Sequence, residues 1–179
     1  MPTTLQPIDT YDKAASLRRE HFLSQHPYPF LVHATGELQA VDPEKRDDLT
    51  SDRLVLERPR EALHESMQVA PVVPRDLDND RVTIGVATTC DVLLDDASVS
   101  KRHAWFEEVD GVWQICDADS SAGTQVNNDP LEPGAARVLV SGDRITLGYV
   151  EMMFLAPEGF YDLIRGLFAS EASRARSSR

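Results

Sequence analysis

The chain has 179 residues, 41% of them hydrophobic and 27% charged, which suits one globular domain with extensions better than two full domains. A net charge of −12 repels phosphate backbones and anionic bilayers, so neither nucleic acid nor membrane is expected as a partner. No apolar run is long enough for a membrane helix, and Met1-Pro2-Thr3-Thr4 lacks the basic-then-apolar order of a leader, so a cytoplasmic location is expected.

Residues 1–8 carry no periodicity and read as a disordered start. Thr10 to Ser24 predicts a short helix, with Tyr11, Ala14, Ala15 and Phe22 near one face and no Pro or Gly inside. His26-Pro27-Tyr28-Pro29 ends it, because proline cannot continue the hydrogen-bond ladder. Phe30-Leu31-Val32 reads as a strand before a turn at Thr35-Gly36. Asp42 to Arg53 reads as a polar loop, Arg53 to Glu57 as a short strand, Pro71 to Pro74 as extended chain and Asp76 to Asp80 as an acidic loop.

From Arg81 the period becomes two. Val82 and Ile84 flank Thr83, Trp113 and Ile115 flank Gln114, Ile145 and Leu147 flank Thr146, and Val150, Met152 and Phe154 alternate with their neighbours. Turn residues separate these runs at Asp95-Asp96, Asp110-Gly111, Asn127-Asn128, Pro133-Gly134 and Ser141-Gly142-Asp143. Short alternating strands with regular turn signals predict a β-sandwich. Beyond Pro157 the spacing becomes helical, and Phe160, Leu163, Ile164, Leu167 and Phe168 form one apolar stripe. Ser170 to Arg179 is Ser- and Arg-rich and reads as a disordered tail. Cys90 and Cys116 lie in strand-like contexts without metal-type spacing and read as buried free thiols.

Four short motifs follow one another in this region. They are Ile84-Gly85, Val99 to Ala104 (VSKRHA), Asp119 to Asn127 (DSSAGTQVN) and Gly142 to Gly148 (GDRITLG). In this order they resemble the forkhead-associated (FHA) family. The resemblance implies an all-β core, an FHA-type antiparallel β-sandwich flanked by N-terminal and C-terminal helices. It implies a protein-interaction module in signalling that reads phosphothreonine, with no cofactor and no metal. The expected organisation is an extension with a short helix over 1–29, first strands and a polar insertion over 30–80, the sandwich core over 81–156, a helix over 157–169 and a tail over 170–179.

By the resemblance, Ser100 bonds phosphate, although it can equally cap a turn. Lys101 and Arg102 either neutralise phosphate or form a solvated basic pair, and Arg102 offers a bidentate fork. If the pair lies on a strand, alternation prevents both from serving one site. Ser121 and Asn127 complete the candidate partner-binding set. His103, Gly85, Gly123 and Thr124 match structural positions. Two residues depart from the family: Val86 stands for an arginine that bonds phosphate, and Ala122 for an asparagine that holds the peptide backbone. A charge-assisted hydrogen bond contributes roughly 1.5–3 kcal/mol, so loss of the arginine alone weakens such a site ~10–100-fold.

Three functions follow. The first is a non-catalytic FHA-type module with weakened or lost phosphothreonine recognition, whose partner is a protein. The second is a working phosphothreonine-peptide reader using Ser100 and Arg102. The third, remote, is an enzyme using the acidic pairs Asp95-Asp96, Glu107-Glu108 and Asp117-Ala118-Asp119, which otherwise read as solvated edges and turns. A Ser100–His103 catalytic pair is rejected because no Gly-x-Ser-x-Gly elbow is present.

Overall fold

A computed structural model describes residues 2–34, 67–76 and 80–177, with side chains to 168. The turn at Thr35-Gly36, the loop at 42–53 and the strand at 53–57 lie outside the described residues. The strands are β1 Thr3–Thr4, β2 Gln6–Pro7, β3 Phe30–Ala34, β4 Met67–Pro71, β5 Arg81–Gly85, β6 Val92–Leu93, β7 Ala104–Val109, β8 Val112–Asp117, β9 Thr124–Val126, β10 Asp129–Pro130, β11 Ala136–Val138, β12 Asp143–Leu147 and β13 Val150–Leu155. The helices are α1 Arg19–Gln25 and α2 Pro157–Ser177.

One sheet has the order β1-β6-β5-β7-β8-β11 and the other β10-β9-β12-β13-β3-β4-β2. Pairing is antiparallel except around β6, which runs parallel to both β5 and β1. The sandwich is therefore mixed at that edge, and it draws strands from 3–7, 30–34 and 67–71 as well as from 81–156. Two hairpins are closed by residue pairs that accept positive φ at both positions. These are Asp110-Gly111 (φ 52° and 79°) and Asn127-Asn128 (φ 53° and 71°), which fix the registers Val109↔Val112 and Val126↔Asp129.

The alternating residues of both sheets meet in one core. Leu31, Val82, Ile84, Phe106, Ile115, Ile145, Leu147, Met152 and Phe154 are all buried in it. A second core lies on the opposite face of the seven-stranded sheet, where Ile8, Phe22, Phe30, Val32, Val69, Met153, Leu155, Phe160 and Ile164 pack together. The central strands β3 and β13 are thus covered on both faces, which is why Met153 and Leu155 are apolar where simple alternation asks for polar residues. The stripe of α2 packs inside the molecule on this second core.

Three local expectations change. Residues 3–7 are not disordered, because β1 and β2 add to the two sheets and Ile8 is buried behind them. The helix expected over Thr10 to Ser24 is broken. Short 3-10 turns at Ile8–Tyr11 and Ala14–Ser16 precede an extended Leu17 (ψ 156°), and only Arg19–Gln25 is α-helical. The Leu17 carbonyl accepts from the Tyr161 hydroxyl at 2.9 Å, so it is committed to α2. Finally, α2 continues past 169 to Ser177.

Candidate functional site

Three loops meet at one end of the sandwich: 86–91 between β5 and β6, 94–103 between β6 and β7, and 118–123 between β8 and β9. Gly85 lies at the root of the first. A Cβ there would sit 2.8 Å from the Ser100 carbonyl oxygen and closer still to that of Lys101. The missing side chain lets two loops touch, and the Val86 N–H donates to the Ser100 carbonyl at 3.2 Å and the Ala87 N–H to the Lys101 carbonyl at 3.0 Å. Gly85→Ala is expected to cost about 1–3 kcal/mol, because both obstructing atoms are backbone. A thermal melt reads the loss, and an unchanged midpoint would contradict this account of the loop contact.

The buried His103 side chain ties the second loop to the third. Its Nδ1 accepts from the Ser100 N–H at 3.0 Å, so Nε2 carries the hydrogen and donates to the Gly123 carbonyl at 3.0 Å. The Ser121 N–H donates to Ser100 Oγ at 3.0 Å, which brings Ser100 and Ser121 together. Beneath them Asp117 is buried, 2% exposed, and is not the solvated edge residue its sequence context suggests. It accepts from the Ser120 N–H at 2.9 Å, the Ser120 hydroxyl at 2.6 Å and the Thr124 hydroxyl at 2.5 Å. Burial pushes its carboxyl up, but the hydrogen bonds from Ser120 and Thr124 outweigh burial and hold it below the ordinary value.

Asp91 organises the first loop in the same way. It accepts from the Thr83 N–H at 2.7 Å, the Thr83 hydroxyl at 2.6 Å and the Arg75 N–H at 2.9 Å. The Arg75 guanidinium donates to the Thr88 carbonyl at 2.8 Å and to that of Cys90. Both cysteines are buried free thiols, and Cys90 Sγ donates to the Lys101 carbonyl at 3.2 Å.

Lys101 and Arg102 are exposed and sit in a bend before β7, not on a strand. Strand alternation therefore does not choose between them. Among the described residues neither joins an ion pair. Val86 is half-buried and packs on the inter-sheet core, and Ala122 is exposed in the third loop. Gly123 has φ 81°, the left-handed turn expected of it. Asn127 lies at the far end of β9 from Gly123. Its amide donates to Asp143 at 2.8 Å and its carbonyl accepts from the Arg144 N–H at 3.0 Å, so it braces the hairpin to β12.

Sequence reading overlooked Asp91 and the support under Asp117. The spacing of Asp117, Ser120 and Thr124 was the available signal, since a carboxylate followed by hydroxyls at short intervals closes a side-chain-capped turn.

The family model of the FHA domain matches residues 82–148. The chain is 40% identical over 80 residues to the oxoglutarate dehydrogenase inhibitor of Corynebacterium glutamicum, covering 45% of this chain and 54% of the relative. It is 37% identical over 79 residues to the glycogen accumulation regulator GarA of Mycolicibacterium smegmatis, covering 44% and 48% respectively. The chain thus spans about half the length of the curated relatives it matches. Among solved structures, the N-terminal FHA domain of S. cerevisiae Rad53p in complex with a phosphothreonine peptide aligns with a TM-score of 0.46 at 19% identity, over 76% of this chain and 98% of that one.

Proposed function

We propose that the chain, whose residues 82–148 match the family model of the forkhead-associated domain, is a non-catalytic protein-interaction module of cytoplasmic signalling whose loop cluster engages a protein partner with weakened phosphothreonine dependence. What supports this reading is a preassembled three-loop cluster with Val86, a side chain without a charge or a donor, at the position where the resemblance implies a phosphate-binding arginine. The Ser100–Ser121 and His103–Gly123 bonds supply the rigidity that a recognition surface needs. What remains for an anion is the Ser100 hydroxyl, the exposed Ser121 and the charges of Lys101 and Arg102. The two relatives are named as an inhibitor and a regulator, which supports regulation by binding over catalysis.

A second reading, a working phosphothreonine reader, is favoured by one observation: Arg102 is exposed beside Ser100 in a loop that does not dictate its direction. A phosphothreonine-oriented peptide library and its unphosphorylated counterpart separate the two. The leading reading expects less than about tenfold preference for phosphate in the wild type and a gain of ~10–100-fold in Val86→Arg. Strong phosphate selectivity in the wild type that disappears in Arg102→Ala would replace it with the second reading.

A further inference from the structure

Four strands end the two sheets: β1, β2, β10 and β11. Of these, β1, β2 and β10 have two residues each, and β2 and β10 include Pro7 and Pro130. Short length and proline blunt an edge against pairing with another chain. The β11 edge has neither protection in the same degree. It has three residues, Ala136–Val138, without proline, and its one charged side chain, Arg137, is drawn to Asp129 at 3.6 Å. Arg137 and Leu139 turn their backbone groups to β8, where the Leu139 N–H donates to the Trp113 carbonyl at 2.8 Å. By the alternation of an antiparallel ladder, Ala136 and Val138 point theirs away from β8, where the sheet ends.

Beside this edge lies an apolar patch. Val109, Val112, Val138 and Val140 are 44%, 42%, 52% and 45% exposed, although each follows or precedes a buried strand residue. Val109 faces Val112 across the β7–β8 hairpin, and the Leu139 bond carries the β8–β11 register on until Val140 is level with Val112. Phe106, Ile115 and Leu139 point into the inter-sheet core, so by alternation all four valines share the outer face of the six-stranded sheet. They sit at the end of β7 and β8 remote from Asp117 and the loop cluster. Single exposed valines are ordinary on a surface; four in register beside an unprotected edge mark an interaction site. The charge around them has one sign. Glu108 and Asp110 flank Val109, both exposed, and among the described residues neither joins an ion pair. With a net charge of −12, a second copy of this chain is repelled and a basic partner is attracted.

We propose that the β11 edge and its valine patch dock a strand of a partner protein, one that alternates apolar with polar residues and carries lysine or arginine. The partner's backbone bonds to the outward N–H and C=O groups of Ala136 and Val138, and its apolar side chains lie on Val138 and Val140. Asp110 stands about two strand spacings, roughly 10 Å, from the added strand, so it acts by attraction across that distance and is screened by salt. This surface is separate from the loop cluster and does not rest on the function proposed for it.

The test applies the full chain to an unphosphorylated library of extended peptides, and follows hydrogen exchange of the Ala136 and Val138 amides with the retained peptides bound. Retained peptides should alternate apolar residues, be enriched in lysine or arginine, and slow exchange at both amides by at least about fivefold. Val138→Lys should abolish retention, and Val138→Thr, which keeps the strand, should weaken it. Asp110→Asn, which keeps the turn, should reduce the basic enrichment. Free phosphothreonine, which addresses the loop cluster, should not compete. Retention of nothing, retention without protection of the β11 amides, or retention indifferent to Val138→Lys would overturn the docking edge. So would a concentration-dependent dimer lost in Val138→Lys, which would place a second copy there.

Discussion

Asp117→Ala is expected to destabilise the protein by about 3–5 kcal/mol, the loss that follows when the carboxylate of a buried hydrogen-bonded set is removed. Three donors converge on Asp117: the Ser120 N–H, the Ser120 hydroxyl and the Thr124 hydroxyl. Alanine leaves all of them without an acceptor under a loop that water reaches poorly. The acid response follows from the same geometry. The folded carboxyl sits below its ordinary value near 3.8, so its stabilisation is fully present above that value and is lost as pH falls through the folded one. Asp91 is depressed too: burial raises its carboxyl, and hydrogen bonds from Thr83 and Arg75 overcome that. Melting temperature measured from pH 7 down to pH 2.5 should therefore fall steeply below about pH 4 in the wild type. In Asp117→Asn the fall should be shallower but not absent, because Asp91 still titrates. Equal slopes in the two proteins would mean that Asp117 is not held as described.

Phe160→Ala should cost a comparable amount, about 3–5 kcal/mol, at the opposite side of the molecule. The Phe160 ring is fully buried, stacks on Phe30 with centroids 3.8 Å apart and takes Tyr11 edge-on at 5.1 Å. It joins α2, β3 and the N-terminal 3-10 turn, so its removal opens a cavity that three separate segments line. None of these segments belongs to the loop cluster. Below the lowered melting temperature, binding to the peptide libraries should thus match the wild type. A denaturant titration gives the stability loss; a change under about 1 kcal/mol would show that the second core closes without this ring.

The two regions differ in how far the sequence exposed them. Alternation from Val82 to Leu147 made strands such as β5, β7 and β12 readable, because they turn one face to the core, whereas β13 is covered on both faces. The ordered motifs around Ser100, His103 and Ser121 marked loops that the structure brings within hydrogen-bond distance. The N-terminal elements were harder. Strands β1 and β2 are two residues long, and their place is set by parallel pairing to β6 and by β4, partners distant in sequence that leave no local period. The break before α1 is likewise invisible locally, since the Leu17 carbonyl is claimed by Tyr161, 144 positions away. At the site, Asp117 read as a surface acid because its burial depends on hydroxyls that fold over it. Strand alternation does not separate Lys101 from Arg102, because β7 begins only at Ala104 and the pair lies in the bend before it.

The bond from Tyr161 to Leu17 also bears on the order in which the chain can fold. Segments from the first and last fifths of the sequence must close a very long loop before the second core exists. During synthesis, Phe22 and Phe30 leave the ribosome well before Phe160, their packing partner, has been made. The nascent chain carries these rings without that partner until α2 has been made, so the second core can close only then.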